Sequence, residues 1–398
     1  MKIKVVIKFL IFLMFFFILV PPAYGALLLQ RVNFKAVGDI MVHDVQYRSA
    51  LDQETGEYDF LPMFAPVREE LAADLLVGNL ETTLSGQDLG YSGYPRFNSP
   101  DSIAGALKEL GFDLLFTANN HSLDQGEYGL KRTLDVLDKN GIRHTGTFNS
   151  PQARDIPGII TKNGLTFGFL NYTYGTNGLT PPAGKEYLIN YLDLKIVRNE
   201  IKELRPLVDV VVVAVHFGTE YLREPTNEQR YIVTEIAKAG ADIILGGHPH
   251  VLQPYEFINV ENRQCFVVYS LGNFVSGQKQ RYRDSGAILE LIIEKSVLDQ
   301  APKIVKVNYT PVWVRRYVAF NRLKMEVVPV KNNLVLDHPL TISELSKSNQ
   351  VLDDVQEVWS PIKKSQPINS VFSAWANSLF PITNPESWMA VIMEQGSK

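Results

Sequence analysis

From Val32 onward the chain alternates short, strongly apolar β-rich runs with amphipathic helical stretches, and nearly every run ends in a polar cluster. No other feature restricts the fold as much. Alternation of this kind predicts an α/β protein with parallel strand pairs, because each helix carries the chain back to the start of the next strand. The spacing places strands over residues 32–42, 75–79 and 113–117, and helices over 61–74, 102–110 and 127–139. Asn163-Gly164, between apolar runs at 159–162 and 165–172, predicts a tight two-residue hairpin. A helix over 192–204, a strand over 208–215, a helix over 228–239 stopped by Gly240, and a strand over 242–245 follow. Later runs at 251–258, 265–271, 287–294, 304–307 and 312–317 have little helix between them and predict a second sheet packed on the first.

The opening residues read as a targeting segment. Lys2, Lys4 and Lys8 precede an apolar run over 9–20, then Pro21, Pro22 and the small-residue site Ala23-Tyr24-Gly25, the order of a secretory signal. Twelve apolar residues fall short of the roughly 20 that span a bilayer, so a cleaved leader is expected over 1–25. Counting back through Val5 gives an uncleaved anchor as the alternative. The mature chain is thus expected to be exported, periplasmic or extracellular, and membrane-associated if anchored. The plan is a leader (1–25), an α/β domain (32–320) and a partly helical C-terminal extension (321–398), with helical signals over 342–359.

Charge narrows the partners. The net charge of −4 becomes −7 without residues 1–25, which hold three lysines and no acid. Nucleic acid, whose binding leans on neutralising phosphates with Lys and Arg, is excluded as a partner. One cysteine in 398 residues rules out a disulfide scaffold, and Cys265 reads as a buried thiol.

Six polar clusters end the apolar runs: Gly38-Asp39 through His43-Asp44, Gly78-Asn79-Leu80-Glu81, Asn119-Asn120-His121 through Asp124, His216 through Glu220, Gly246-Gly247-His248-Pro249-His250, and Ser270 through Asn273. Open α/β sheets place ligands at the C-terminal ends of their strands, and five of the seven histidines fall in these clusters. Asp39, Glu81 and Asn120 offer oxygen, and His216, His248 and His250 offer nitrogen, a mixed set that suits Zn, Mn or Fe. A bridging carboxylate, here Glu81, can hold two dications about 3.5–4 Å apart, and such a pair acidifies water and neutralises a phosphoryl group. His121, oriented by Asp124, fits a general acid that protonates a leaving oxygen.

Asn119-Asn120-His121, Gly-x-His-Pro-His and Ser-Leu-Gly-Asn-Phe, in that order, resemble the bacterial capsule biosynthesis family CapA, the poly-γ-glutamate synthesis proteins, over about residues 33–314. The fold of that family is similar to the calcineurin-like metallophosphoesterases. The resemblance implies a four-layer αββα sandwich and one or two divalent ions. Asp39 and His250 would bind the first ion, Glu81 would bridge, and Asn120, His216 and His248 would serve the second. It also implies a membrane-bound polymer synthase complex as partner. Three positions depart from the general phosphoesterase pattern: Met41 stands for a histidine, Asn79 followed by Glu81 for a Gly-Asp motif, and Ser122 for an acid. His43 or Asp44 could compensate for Met41. A free-standing extracytoplasmic phosphoesterase, and a pseudoenzyme that binds an anionic polymer, are the competing readings.

Arg96, Glu220 and Asn273 complete the candidate site as substrate-binding residues, since guanidinium clamps carboxylate or phosphate in a fork. Glu220 reads equally as a metal ligand, and each has a plainer alternative: a surface ion pair for Arg96, pairing with Arg223 or Arg230 for Glu220, a turn cap for Asn273. His144, His338 and the tryptophans Trp359, Trp375 and Trp388 are read as structural.

Overall fold

The computed structural model describes residues 29–359 apart from 262, 297, 300, 320, 332 and 333. The leader expected over 1–25, Trp375 and Trp388 lie outside the described residues. Strands β1 (Leu29–Ile40), β2 (Leu75–Leu80), β3 (Leu114–Phe116) and β4 (Arg143–Thr145) pair in parallel. Strand β12 (Ser285–Ser296), β13 (Lys303–Ala319) and β14 (Arg322–Pro329) continue this sheet antiparallel from the other edge of β1. Short β11 (Asn273–Val275) pairs with the C-terminal end of β1. The second sheet comprises β5 (Gly158–Lys162), β6 (Leu165–Thr173), β7 (Val210–His216), β8 (Ile243–Gly247), β9 (Leu252–Val260) and β10 (Arg263–Leu271). Its order is β5-β6-β7-β8-β10-β9, with β6, β7, β8 and β10 parallel.

Because side chains alternate across a strand, each sheet feeds two cores. Val32, Phe34, Leu75 and Val77 meet Phe167, Phe169, Val210 and Val212 between the sheets. The opposite face of the first sheet, with Val37, Leu76 and Leu115, packs on Ile103 and Leu107 of α3 (Ser102–Glu109) and on Val136 and Leu137 of α4 (Gly126–Lys139). Two shorter helices, α1 (Asp44–Ala50) and α2 (Leu61–Phe64), lie on that same face. Val211, Val213 and Val215 of the second sheet pack on α5 (Leu194–Leu204) and α6 (Asn227–Ala239). Helix, sheet, sheet and helix make the expected four-layer αββα sandwich.

Local chemistry explains the agreements and the differences. Asn163 and Gly164 take φ of 48° and 84°, as the predicted hairpin requires. The helix expected over 61–74 stops at Phe64 and continues as a 3-10 turn over Ala65–Leu71. Pro66 lacks the N–H that an α-helix would donate to Pro62. The late strands do not form a sheet of their own. β9 and β10 extend the second sheet, while β12 to β14 cover the edge of β1, which would otherwise present unpaired backbone groups. Pro311 breaks the apolar pattern without breaking β13, so the runs at 304–307 and 312–317 are one strand.

The compact unit reaches Trp359, beyond the boundary near residue 320. Strand β14 belongs to the sheet, and α7 (Ile342–Trp359) buries Val351, Val355 and Trp359 in the core between the sheets. Trp359 Nε1 donates to the Gln253 carbonyl at 2.9 Å. Arg315 of β13, 2% exposed, holds the start of this helix: it donates to both Glu344 oxygens at 2.7 and 3.1 Å and to the carbonyls of His338 and Pro339. No helix among the described residues is long and apolar enough to cross a membrane.

The hydrogen bonds from Arg315 pull the Glu344 carboxyl down to about 2 from its ordinary 4.5. A depressed carboxylate contributes stability that is complete above its unfolded value and lost as pH falls through the folded one. Glu344→Gln should therefore cost about 3 kcal/mol at neutral pH. In denaturant titrations the gap from wild type should be complete above pH 4.5 and close toward pH 2.

Candidate metal centre

Asp39 is the penultimate residue of β1, and Glu81 follows the last residue of β2. Parallel pairing sets Asp39 beside Asn79, and β7 and β8 bring His216 beside Gly247. Close backbone approach makes this possible. A Cβ on Gly38 would lie 1.9 Å from the Gly272 carbonyl oxygen, and one on Gly247 would lie 2.9 Å from Asp39 Oδ1. The turn after β8 places His248 and His250 at φ of 98° and 57°, conformations that non-glycine residues rarely adopt. Strain of this kind is characteristic of functional sites.

The six expected donors converge. Asp39, Glu81, Asn120, His216, His248 and His250 are all buried. Asn79 Nδ2 donates to Asp39 Oδ1 at 2.8 Å and to Glu81 Oε2 at 3.2 Å. His250 Nδ1 lies 3.1 Å from both Asp39 Oδ2 and Asn273 Oδ1. His216 Nε2 lies 2.8 Å from Asn120 Oδ1. Glu81 Oε1 sits between imidazoles, 3.6 Å from His216 Nε2 and 3.7 Å from His250 Nε2. Donor atoms of Asp39, Glu81 and His250 lie within 4.8 Å of one another, and so do those of Glu220, His248 and His250.

The electrostatics are those of a cation site. Burial and the neighbouring Asp39 push the Glu81 carboxyl well above its ordinary range. For Asp39 burial acts upward, but the bond and charge of His250, the field of His216 and the Asn79 amide bring it down to about 2. Burial and the adjacent imidazoles push His216 well below its usual value and His248 down to about 4. Neutral imidazoles and carboxylates are the forms that ligate metals. Glu81 Oε1 and His248 Nδ1 are buried without a hydrogen-bond partner, an arrangement that costs free energy unless a further group satisfies it. The residues present fit a divalent cation.

His121 Nδ1 lies 2.8 Å from Asp124 Oδ2, which also accepts the Phe97 N–H at 2.7 Å. The Phe97 ring packs edge-on against both His121 and His43, with centroids at 4.7 and 5.0 Å. Arg96, beside Phe97, is exposed and makes no ion pair among the described residues. Asn273 reaches the centre through His250, and its amide donates to the Arg283 carbonyl at 2.7 Å. Among the described residues Glu220 forms no ion pair with an arginine: Arg223 binds Glu357, and Arg230 faces Glu224 and Glu256.

The departures also find their places. Met41 is 1% exposed, and no group of metal-ligating type among the described residues includes His43. His43 Nδ1 accepts the Gly277 N–H at 3.0 Å, and Asp44 accepts the Gly93 N–H at 2.8 Å, so neither replaces the missing imidazole in these groups. Ser122 braces its own loop, donating to the Thr117 carbonyl at 2.6 Å and accepting from Asn119 N at 2.9 Å. Asn79, absent from the expected ligands, is the hub that holds both carboxylates, and Asn119 in turn donates to Asn79 Oδ1 at 3.2 Å. The Gly-Asn-x-Glu spacing was the available signal. Tyr174 and Tyr221, also unforeseen, flank His248 and His250 with centroids 4.6 and 6.2 Å away.

Fold and donor set together define an αββα protein with a buried nitrogen and oxygen cluster of metal-ligating type. The family model described as bacterial capsule synthesis protein PGA_cap matches residues 33–278, and the chain belongs to that family. It is 31% identical over 266 residues to the PGA biosynthesis protein CapA of Bacillus subtilis (strain 168), across 63% of this chain. The chain spans 65% of that relative's length. It is 30% identical over 297 residues to the capsule biosynthesis protein CapA of Bacillus anthracis, across 69% of this chain and 70% of the other. Among solved structures, a novel phosphatase from Mycoplasma pneumoniae is similar at a TM-score of 0.43 and 14% identity, over 71% of this chain and 94% of its own. A putative 5'-nucleotidase from Staphylococcus aureus is similar at 0.44 and 14%, over 81% and 58%. Both are distant likenesses of shape.

Ser122→Ala should leave metal content unchanged, because Ser122 serves its loop. Removing a hydroxyl that satisfies buried backbone groups should cost about 1–3 kcal/mol, read by denaturant unfolding.

Proposed function

We propose that this chain is an exported protein of poly-γ-glutamate or surface-polymer synthesis. It works beside a membrane-bound polymer synthase complex and uses a centre of one or two divalent ions, Mn, Fe or Zn. One observation carries the reading: the family match over 33–278 contains all the converging donors, from Asp39 to His250, together with Asn273. The basic and apolar order of residues 1–25 supports export.

Asp39 and His250 would hold one ion, Asn120, His216 and His248 the other, and Glu81 would bridge them. When bound, such a pair acidifies a water and neutralises charge on a phosphoryl or carboxyl oxygen. The chain's own groups supply the rest. Asp124 fixes the His121 ring through Nδ1, which leaves Nε2 to deliver a proton to a departing oxygen. Phe97 packs against that ring and Asn79 keeps both carboxylates aimed inward.

The intact His121–Asp124 pair favours a second reading, a metal-dependent phosphoesterase acting outside the cytoplasm. Met41 favours a third, a cleft that binds an anionic polymer without hydrolysing it.

Elemental analysis of the full chain, purified without chelators, should find one or two transition-metal ions per chain; none would remove the metal centre. Glu81→Ala and His250→Ala should lose metal, whereas His121→Ala should keep it and lose any hydrolysis. Phosphoesters and poly-γ-glutamate should be assayed side by side. Action on the polymer supports the first reading. Hydrolysis of phosphoesters alone supports the second, and polymer binding with no hydrolysis supports the third.

A further inference from the structure

The first motif offers the cluster one imidazole fewer than the general phosphoesterase pattern, because Met41 stands where that pattern has a histidine and His43 and Asp44 are engaged elsewhere. On the solvent side of the same cluster stands a carboxylate with no cationic partner among the described residues. Glu220 is exposed, yet its donor atom lies within 4.8 Å of those of His248 and His250. His248, 4% exposed, leaves Nδ1 without a hydrogen-bond partner.

The backbone is built to hold Glu220 there. Tyr221 N donates to the Pro249 carbonyl at 2.8 Å, which ties the Glu220 loop to the residue between the two histidines. Tyr221 takes φ of 69°. Arg283 lies over its ring, 3.2 Å from the centroid. Arg223 anchors the outgoing chain by donating to Glu357 and to the Asp354 carbonyl, both at 2.8 Å.

We propose that Glu220 is a metal ligand: with His248 and His250 it closes the outward side of the cluster and supplies the donor that Met41 does not. The carboxylate is a hard oxygen donor and the two imidazoles are borderline, a set that takes Zn, Mn or Fe. Glu220 is thereby committed to the metal centre, between its two histidines, rather than to substrate. This rests on the metal centre of the preceding section.

The test uses the purified full chain loaded with Mn²⁺ or Co²⁺. Its readouts are stoichiometry after dialysis, affinity by titration and the visible Co²⁺ spectrum, with melting in chelator as the check on folding. Losing an outer-shell partner alone costs about 10–100-fold in metal affinity. Glu220→Ala should therefore weaken one ion by at least about tenfold and alter the Co²⁺ spectrum, while Glu224→Ala, on the same loop, changes neither. Glu220→Gln, which keeps the size and removes the charge, should weaken the same ion. If His250→Ala loses metal while both Glu220 variants match wild type in stoichiometry, affinity and spectrum, the proposal is overturned and the centre stands. If the wild-type chain binds no ion, both fail.

Discussion

Two carboxylates and three imidazoles share one buried volume at the strand ends, and this constraint organises the rest of the fold. Asp39 and Glu81 are fully buried, and charges so placed are costly unless paired. The protein treats them unequally. His250, His216 and Asn79 stabilise ionised Asp39, whereas burial and the proximity of Asp39 drive Glu81 toward its protonated form. A cation between them would remove that asymmetry, because it favours the ionised form of both and gives Glu81 Oε1 the partner it lacks.

Such a cluster requires backbones closer than side chains permit, and the sandwich supplies them. Gly38, Gly246 and Gly247 occupy places where a Cβ would run into backbone oxygen or into Asp39 itself. Strained His248 and His250 are held by the Tyr221–Pro249 hydrogen bond on one side and by β10 and β11 on the other. Local strain at the histidines is thus offset by packing elsewhere.

Much of this was legible in the residues. The 3.6- and 2-residue periodicities located the central strands and the helices that flank them, and the Asn163-Gly164 turn was identifiable outright. All six ligand candidates meet, because polar residues that end buried parallel strands have one common place to go. What was not legible depended on partners distant in sequence. Whether β12 to β14 form a new sheet or complete an old one depends on the open edge of β1, which no local pattern reports. Pro66 and Pro311 carry the same breaking signal, yet one ends an α-helix and the other sits within a strand, because pairing with β12 and β14 overrides the local preference. Asn79 as hub was equally invisible, since its role is set by contacts across two sheets, and for Glu220 the residues alone left metal ligand, substrate ligand and arginine partner open.

The C-terminal helix falls in the extension expected after the α/β domain, and its connections reach the rim of the cluster. Asp354, 5% exposed, accepts from Arg281 at 2.6 and 3.1 Å, and its carbonyl accepts from Arg223. Arg223 and Arg281 both lie over the Tyr282 ring, next to Arg283, which covers Tyr221. Both rim loops, the one carrying Glu220 and the one following Asn273, are thus fastened to the same turn of α7. A buried carboxylate with a bidentate guanidinium is stiff, since its charge-assisted bonds are short and directional. Trp359 pins the end of that helix to Gln253, whose side chain in turn donates to the Leu222 carbonyl at 2.8 Å. The helix that closes the open end of the core between the sheets therefore also sets the position of the loops facing solvent over the metal-ligating residues. The compact unit accordingly extends to Trp359.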